Sequence, residues 1–313
     1  MRLSSTFTLL SLVSALSVGA CGDDGGTTPP VDAPIKDIGF SKPTATLKAN
    51  NETAPDTWVE IGPANLACLN TPNNDVANTV EVTINTIVED FQTGNLVPNT
   101  TVTVFANQSA GTPFPGGPYV SSSAGATVSV KIPAGTKRFG YKMTNPNALD
   151  TLLLNQTLNQ AMVDMTPQVI SRIQSVSTAT GATLPALIGV SRTPGTGVLA
   201  GAVRDCNGDE LSNFVATVSS TPNEVNHLGG VDTYYFSSAV GLPVRHSQQA
   251  HASKDGLFMA IEMNPTVMAY VQVWGYPTQA DLDGGSLKLI AQLQTQVIAD
   301  TVITGSYDPL RSN

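Results

Sequence analysis

The sequence predicts a mainly β protein made of two β-sandwich modules that are joined by a short helical connector. Two long stretches alternate apolar and polar residues with a period of two, and a segment with helix signals lies between them. Only 12% of the 313 residues are charged, whereas 27 are Gly and 21 are Pro, which suits short strands linked by many turns. Because a half-buried strand needs a second sheet over its apolar face, we expect the strands to stack as sandwiches.

Residues 1–20 have the features of a lipoprotein signal peptide. Arg2 precedes an apolar, Ser-rich stretch that ends in Val18-Gly19-Ala20-Cys21. An ordinary signal peptide or a membrane anchor is the alternative, but the apolar stretch is shorter than the roughly 20 residues that a bilayer requires. We therefore expect lipid on Cys21 and an exported protein that is anchored in the outer membrane or at the cell surface.

Residues 21–56 are predicted to be a disordered tether, because they contain few apolar residues and show no sustained periodicity. The first β-sandwich module is predicted over residues 57–150. Within it, Val102 and Val104 alternate with Thr, and Val128, Val130 and Ile132 alternate with polar residues. This pattern is typical of half-buried antiparallel strands.

The helical connector is predicted over residues 151–194. Thr166-Pro167 resembles a helix start, and the four apolar residues Val169, Ile170, Ile173 and Val176 would then share one helical face. A second short helix is predicted from Ser177 to about Leu184, before Pro185. Together these helices would pack their apolar stripe against the sheets.

The second module is predicted over residues 195–313, where the strand pattern returns and repeats features of the first. Val88-Glu89-Asp90, Gly94 and residues 97–104 align with Val203-Arg204-Asp205, Gly208 and residues 211–218. Self-similarity of this kind indicates a diverged tandem repeat.

The repeated pattern resembles the carboxypeptidase regulatory-like family of small transthyretin-like β-sandwiches. The second copy carries it in Val203-Arg204-Asp205, Gly208, Asn213-Phe214, Asp255-Gly256-Leu257-Phe258 and Trp274-Gly275-Tyr276, and the first copy carries it mainly in residues 88–104. With its lipobox, the chain is similar to bacterial surface lipoproteins that contain tandem modules of this family. The resemblance implies transthyretin-like or Ig-like sandwiches that act as structural or binding accessories without an active site.

The two cysteines beyond Cys21 are predicted to form a disulfide. An exported chain meets an oxidising compartment, and Cys68 and Cys206 make an even pair, although two buried free thiols are the alternative.

Charge argues against a nucleic-acid partner. The chain carries 24 acidic and 15 basic residues, and it has no basic run that could follow a phosphate backbone.

Motifs for catalysis are missing from the sequence, so we predict no catalytic residues and no cofactor. It has no His-Glu-x-x-His, Cys-x-x-Cys, Gly-x-Ser-x-Gly or phosphate-binding loop. Its three histidines, His227, His246 and His251, fall in one Gly- and Ser-rich stretch, which makes a metal site the weaker alternative to solvated loop histidines. Asp205, Asn207 and Asp209 imitate the start of a calcium loop but are better explained as a turn.

Aromatic residues are the candidates for a binding surface. Tyr235, Trp274 and Tyr276 would line a platform for a glycan or a peptide, although strand aromatics are more often core residues.

Taken together, these features favour a non-enzymatic, lipid-anchored envelope protein. It would reach the membrane through its lipid and serve as a scaffold or as a binding module for an envelope protein or polysaccharide. The alternative is a metal-binding or diverged hydrolytic enzyme that uses the loop with His227, His246 and His251.

Overall fold

The computed structural model describes residues 41–55, 57–106, 111–170, 172–225, 227–228 and 232–312. Within these ranges the protein is mainly β and is built as β-sandwiches, as predicted. No helix in the described ranges is long and apolar enough to cross a membrane. The predicted signal peptide and the lipid attachment site Cys21 lie outside the described residues.

The N-terminal half of the body forms one sandwich. The first two strands of the described chain form the hairpin β1 (Lys48–Ala54) and β2 (Thr57–Pro63), which pairs with the C-terminal half and not with this sandwich. The strands of the sandwich are β3 (Val82–Asp90), β4 (Thr101–Phe105), β5 (Tyr119–Val120), β6 (Thr127–Ile132), β7 (Arg138–Thr144), β8 (Ala148–Thr157), β9 (Gln168–Val169) and β10 (Ile173–Ser177). In one layer β3 is antiparallel to β6 and parallel to β10. In the other layer β7 is antiparallel to both β4 and β8. Buried side chains such as Ile84, Val130 and Tyr141 fill the space between the layers.

The C-terminal half forms a second sandwich after helix α1 (Thr178–Leu187). Its elements are β11 (Gly197–Val203), β12 (Glu210–Ser212), β13 (Val215–Ser219), β14 (Asp232–Ser237), β15 (Leu242–Val244), β16 (Leu257–Met263), β17 (Thr266–Gly275), α2 (Gln279–Asp283), β18 (Lys288–Val297) and β19 (Thr301–Tyr307). One layer has β11 antiparallel to β16 and parallel to β19, and β14 and β15 continue it beyond β16. The other layer has β17 between β13 and β18, and the core between the layers includes Leu199, Phe214 and Val271.

The two sandwiches share the same strand pairing. Strands β3, β6 and β10 pair as β11, β16 and β19 do, and strands β4, β7 and β8 pair as β13, β17 and β18 do. This correspondence gives the repeat in the sequence a structural counterpart.

One strand connects the two sandwiches. β8 pairs in parallel with β19, in a register that runs from Asp150 opposite Thr301 to Leu154 opposite Gly305. Since β19 also pairs with β11, the sheet continues from one sandwich into the other.

Folded structure begins earlier than predicted. Lys48–Ala54, within the predicted tether, form β1, which pairs with β2 and with β12. The pairing is stabilised because Leu47, just before β1, is buried in the core of the second sandwich, and Ala49 of β1 is also buried. The tether prediction to residue 56 is therefore wrong for this part of the segment.

The predicted helix from Thr166 is also wrong, whereas the second helix is confirmed as α1. Val169 lies in β9 and is 79% exposed, and Ile173 pairs with Val88 in β10. Both short strands add to the open edge of β3, and this pairing satisfies the backbone better than an isolated helix of β-branched residues would. α1 begins after Ser177, whose side chain accepts a hydrogen bond from the Thr180 backbone N–H.

Candidate functional site

A groove of about 500 Å³ lies between the two sandwiches, and we call it the central groove. Its floor is the outer face of the second sandwich, where Val198, Ala200 and Ala202 of β11 alternate with core residues such as Leu199. Since successive side chains of a strand point to opposite faces, this strand covers the core on one side and lines the groove on the other. The volume falls in the range of small-molecule sites.

Neighbouring strands extend the floor on both sides of β11. Each contributes side chains that face the groove: Leu257, Met259 and Ile261 from β16, Val302, Thr304 and Ser306 from β19, and Leu149, Leu153 and Gln156 from β8. The floor is therefore a sheet of four strands with a largely apolar surface.

The opposite side of the groove is built by the first sandwich and α1. Gln174 and Val176 of β10 and Arg172, just before it, line this side, and Leu184 and Pro185 of α1 close one end. β10 pairs with β8 only at Val176 and Ser177, so the rest of β10 diverges from the floor and follows β3 instead. This divergence opens the groove.

Two arginines stand at the same end of the groove. β10 runs antiparallel to β8, whereas β8, β19 and β11 run parallel to one another. Arg172 comes just before β10 and Arg204 comes just after β11, so strand direction places both at the end opposite α1. Each already has one carboxylate partner, Glu89 at 3.1 Å from Arg172 and Glu210 at 3.2 Å from Arg204.

Acidic groups share this end. Glu52 of β1 lines the groove there, because the hairpin is held next to Glu210 by the pairing of β1 with β12. Burial raises the pKa of Glu210, although the charge of Arg204 opposes that shift. The end opposite α1 thus presents charges of both signs, whereas the α1 end is apolar.

The aromatic candidates are core residues and do not form a platform. Tyr235, Trp274 and Tyr276 are each at most 5% exposed. The Tyr235 hydroxyl accepts a hydrogen bond from the Ala216 backbone N–H at 3.0 Å, and the Trp274 indole N–H donates to the Thr217 hydroxyl at 3.1 Å. The polar atoms of Tyr235 and Trp274 are therefore used inside the second sandwich.

The three histidines are not gathered into one site. His227 accepts a hydrogen bond from the Val218 backbone N–H, and His246 packs against the Tyr234 ring at 4.6 Å. His251 makes its contact elsewhere, with the Ser41 carbonyl at 2.8 Å. Among the residues that the structure describes, no three His, Cys, Asp or Glu side chains are arranged to hold a metal ion.

His227 is kept neutral by its surroundings. Burial, together with the nearby His246, lowers the pKa of His227 to about 4. A neutral ring also fits its role as the acceptor for Val218, so His227 serves the local structure.

Cys68 and Cys206 are joined by a disulfide, with their Cα atoms 5.8 Å apart. Hydrogen bonds also hold the segment before Cys68 against the turn that contains Cys206. The Asn65 backbone N–H donates to the Asp205 carboxylate, and the Asn65 carbonyl accepts a hydrogen bond from the Cys206 backbone N–H. Asp205 further accepts backbone N–H groups from Asn207 and Asp209. Its carboxylate therefore caps a turn, which agrees with the turn interpretation of this acidic segment.

Sequence reasoning missed the residues of the central groove. The alternation of Val198, Ala200 and Ala202, followed two residues later by Arg204, was a visible signal. It indicates only a strand with one apolar face and a charged end. The side of the groove that faces this strand is built by residues 172–176, whose spacing in the sequence predicts a helix.

Neither a protein-family model nor a curated protein sequence matches this chain. Among solved structures, the shaft pilin SpaA from Lactobacillus rhamnosus GG is 10% identical, with a TM-score of 0.22 over 74% of this chain and 98% of the pilin. A point mutant of the major pilin from Streptococcus pyogenes is 12% identical, with a TM-score of 0.18 over 74% of this chain and 99% of that one. Scores this low support no conclusion about function.

Proposed function

We propose that this protein is an exported, lipid-anchored component of the cell envelope that acts without catalysis, as a scaffold or binding module. The sequence of the first 21 residues supports the anchor. The central groove supports the binding role, because it is a concave, largely apolar surface in the size range of ligand sites.

The lining of the groove favours a partner with apolar groups over a polysaccharide. Its floor carries aliphatic side chains such as Val198, Ile261 and Val302. Polysaccharides bind best to exposed aromatic rings and polar groups, and the aromatic candidates Tyr235 and Trp274 are buried. The metal-dependent alternative receives no support from the geometry of the described histidines.

Photo-crosslinking in intact producing cells tests the binding role. A benzoylphenylalanine placed at Gln174, which faces the groove, should give a discrete adduct. The same group at Val267, which is 93% exposed and outside the groove, is the matched control and should give none. Absence of an adduct at Gln174, or equal adducts at both positions, would overturn the proposal.

The anchor has its own test. Growth with an alkyne-labelled fatty acid should label the wild-type protein and should leave the Cys21→Ala variant unlabelled. Equal labelling of both proteins would exclude Cys21 as the attachment site.

A further inference from the structure

We infer that the central groove binds a single-chain phospholipid whose head group carries both a phosphate and an ammonium. This inference rests on the proposed binding role and names its ligand. Three observations carry it: the gradient of polarity along the groove, the length of its floor, and the mixture of charges at one end.

Polarity changes steadily along the floor. Near α1 the surface is apolar, with the aliphatic Val198, Val302 and Leu149 and the rings of Phe91 and Phe236. Halfway along, Thr304 and Gln174 add neutral polar groups, and the far end reaches the arginines. A site of this kind matches an amphiphile that lies along the strands with its alkyl chain toward α1.

The length of the groove suits one acyl chain. From Val198 to Arg204 the strand advances six residues, or about 20 Å at 3.3 Å per residue. The hydrocarbon core of a bilayer, about 30 Å thick, holds two chains end to end, so one chain occupies roughly 15 Å of it. The floor therefore accommodates a single chain and leaves its last side chains for the head group.

The charged end matches a zwitterionic head group better than a simple anion. Arg172 and Arg204 each use one nitrogen in an ion pair, Nη1 and Nε respectively, and a guanidinium has further N–H groups that suit phosphate oxygens. Glu52 lies at the same end and would attract an ammonium. A fatty acid would bring a carboxylate to an end that already has Glu52, Glu89 and Glu210.

Titration calorimetry below the micelle concentration tests the inference on the purified protein. The probes are a lysophosphatidylethanolamine, a fatty acid and a monoacylglycerol with the same alkyl chain. We expect the lysophospholipid to bind at least tenfold more tightly than the other two. Equal affinity for all three probes, or tighter binding of the fatty acid, would overturn the assignment of the head group.

Variants locate the site. Ala200→Phe and Thr304→Phe each place a ring in the middle of the floor and should abolish binding. If one of the two variants does not fold, the other still tests the site. Arg172→Gln removes the charge of an exposed side chain and should weaken binding about tenfold. Because its partner Glu89 is buried, urea unfolding first checks that this variant is folded. Lys131→Gln, which removes a similarly exposed ion-paired cation outside the groove, is the control and should bind as wild type does. Unchanged binding in the folded floor variants would overturn the site.

The crosslinked adduct at Gln174 separates the two proposals. Mass spectrometry should identify it as a lipid adduct. A discrete protein adduct, together with no lysophospholipid binding, would overturn the ligand and leave the binding role standing, whereas no adduct would overturn the binding role itself.

Discussion

Phe91 and Phe236 meet edge to face, with ring centroids 5.7 Å apart and ring planes at 85°. Phe91 directly follows β3 of the first sandwich, and Phe236 lies in β14 of the second. Both rings line the central groove, so this contact joins the two sandwiches across it.

Replacing Phe91 with Ala should destabilise the protein by about 2 kcal/mol, less than the roughly 3–5 kcal/mol of a fully buried Phe, because Phe91 is only half-buried. Urea unfolding measures the change. Phe91→Leu keeps most of the apolar area and should lose about 1 kcal/mol or less. Equal stability of Phe91→Ala and wild type would show that the ring pair contributes nothing to the contact.

Trp274→Ala should cost roughly 3–5 kcal/mol, as expected for a core aromatic, and Tyr235→Phe about 1–2 kcal/mol, because the Ala216 N–H would lose its acceptor. Thermal and urea unfolding measure both changes. A loss of ligand retention without a loss of stability would instead favour the platform interpretation.

Asp255 should make the protein less stable as the pH rises. Burial, with a further contribution from Glu210, raises the pKa of Asp255 to about 7, from 3.8 in an exposed carboxyl. The folded chain therefore binds this proton more tightly than the unfolded chain does. The stabilisation is fully present below about pH 4 and is lost as the pH rises through 7, by an amount on the order of 4 kcal/mol at most.

Urea unfolding of wild type and Asp255→Asn between about pH 4 and pH 8 checks this expectation. The asparagine keeps an acceptor for the Leu257 N–H and cannot titrate, so its stability should lack this decline. Parallel pH profiles for the two proteins would contradict it.

His227 should make the protein less stable as the pH falls, which is the opposite of the effect of Asp255. Because burial lowers its pKa to about 4, from 6.5, its contribution is present above about pH 6.5 and is lost as the pH falls through 4. Proton NMR of the imidazole should give a midpoint well below that of an exposed histidine. A midpoint near 6.5 would show that the ring is solvated, as the sequence suggested for these loop residues.

The disulfide should stabilise the body by about 2–4 kcal/mol, since Cys68 and Cys206 are 138 residues apart and their bond restricts the unfolded chain. Comparison of wild type with the Cys68→Ser, Cys206→Ser double variant measures this. Thiol labelling of the unreduced, denatured protein should modify neither cysteine, and modification of both would exclude the bond.

Local patterns predicted the strands well. In β6, the alternation of Val128, Val130 and Ile132 with polar residues is reproduced as alternating burial and exposure. The alignment of residues 88–104 with residues 203–218 also led correctly to two similar sets of paired strands.

Contacts between distant segments could not be predicted in the same way. Ile173 and Val176 fit a helical spacing, and only the presence of an open β3 edge makes them a strand. The pairing of β8 with β19 joins residues about 150 positions apart, and no period in the sequence reports it. The central groove depends on both contacts, so the sequence alone does not predict it.

The position of β19 has a consequence for how the chain matures. β19 (Thr301–Tyr307) is the last strand in chain order among the described residues, yet it lies between β8 and β11 at the middle of the continuous sheet. Neither neighbour can complete its backbone pairing until residue 307 has been synthesised. Such long-range closure makes folding slow, and we expect both sandwiches to complete their shared sheet only after β19 has inserted between β8 and β11.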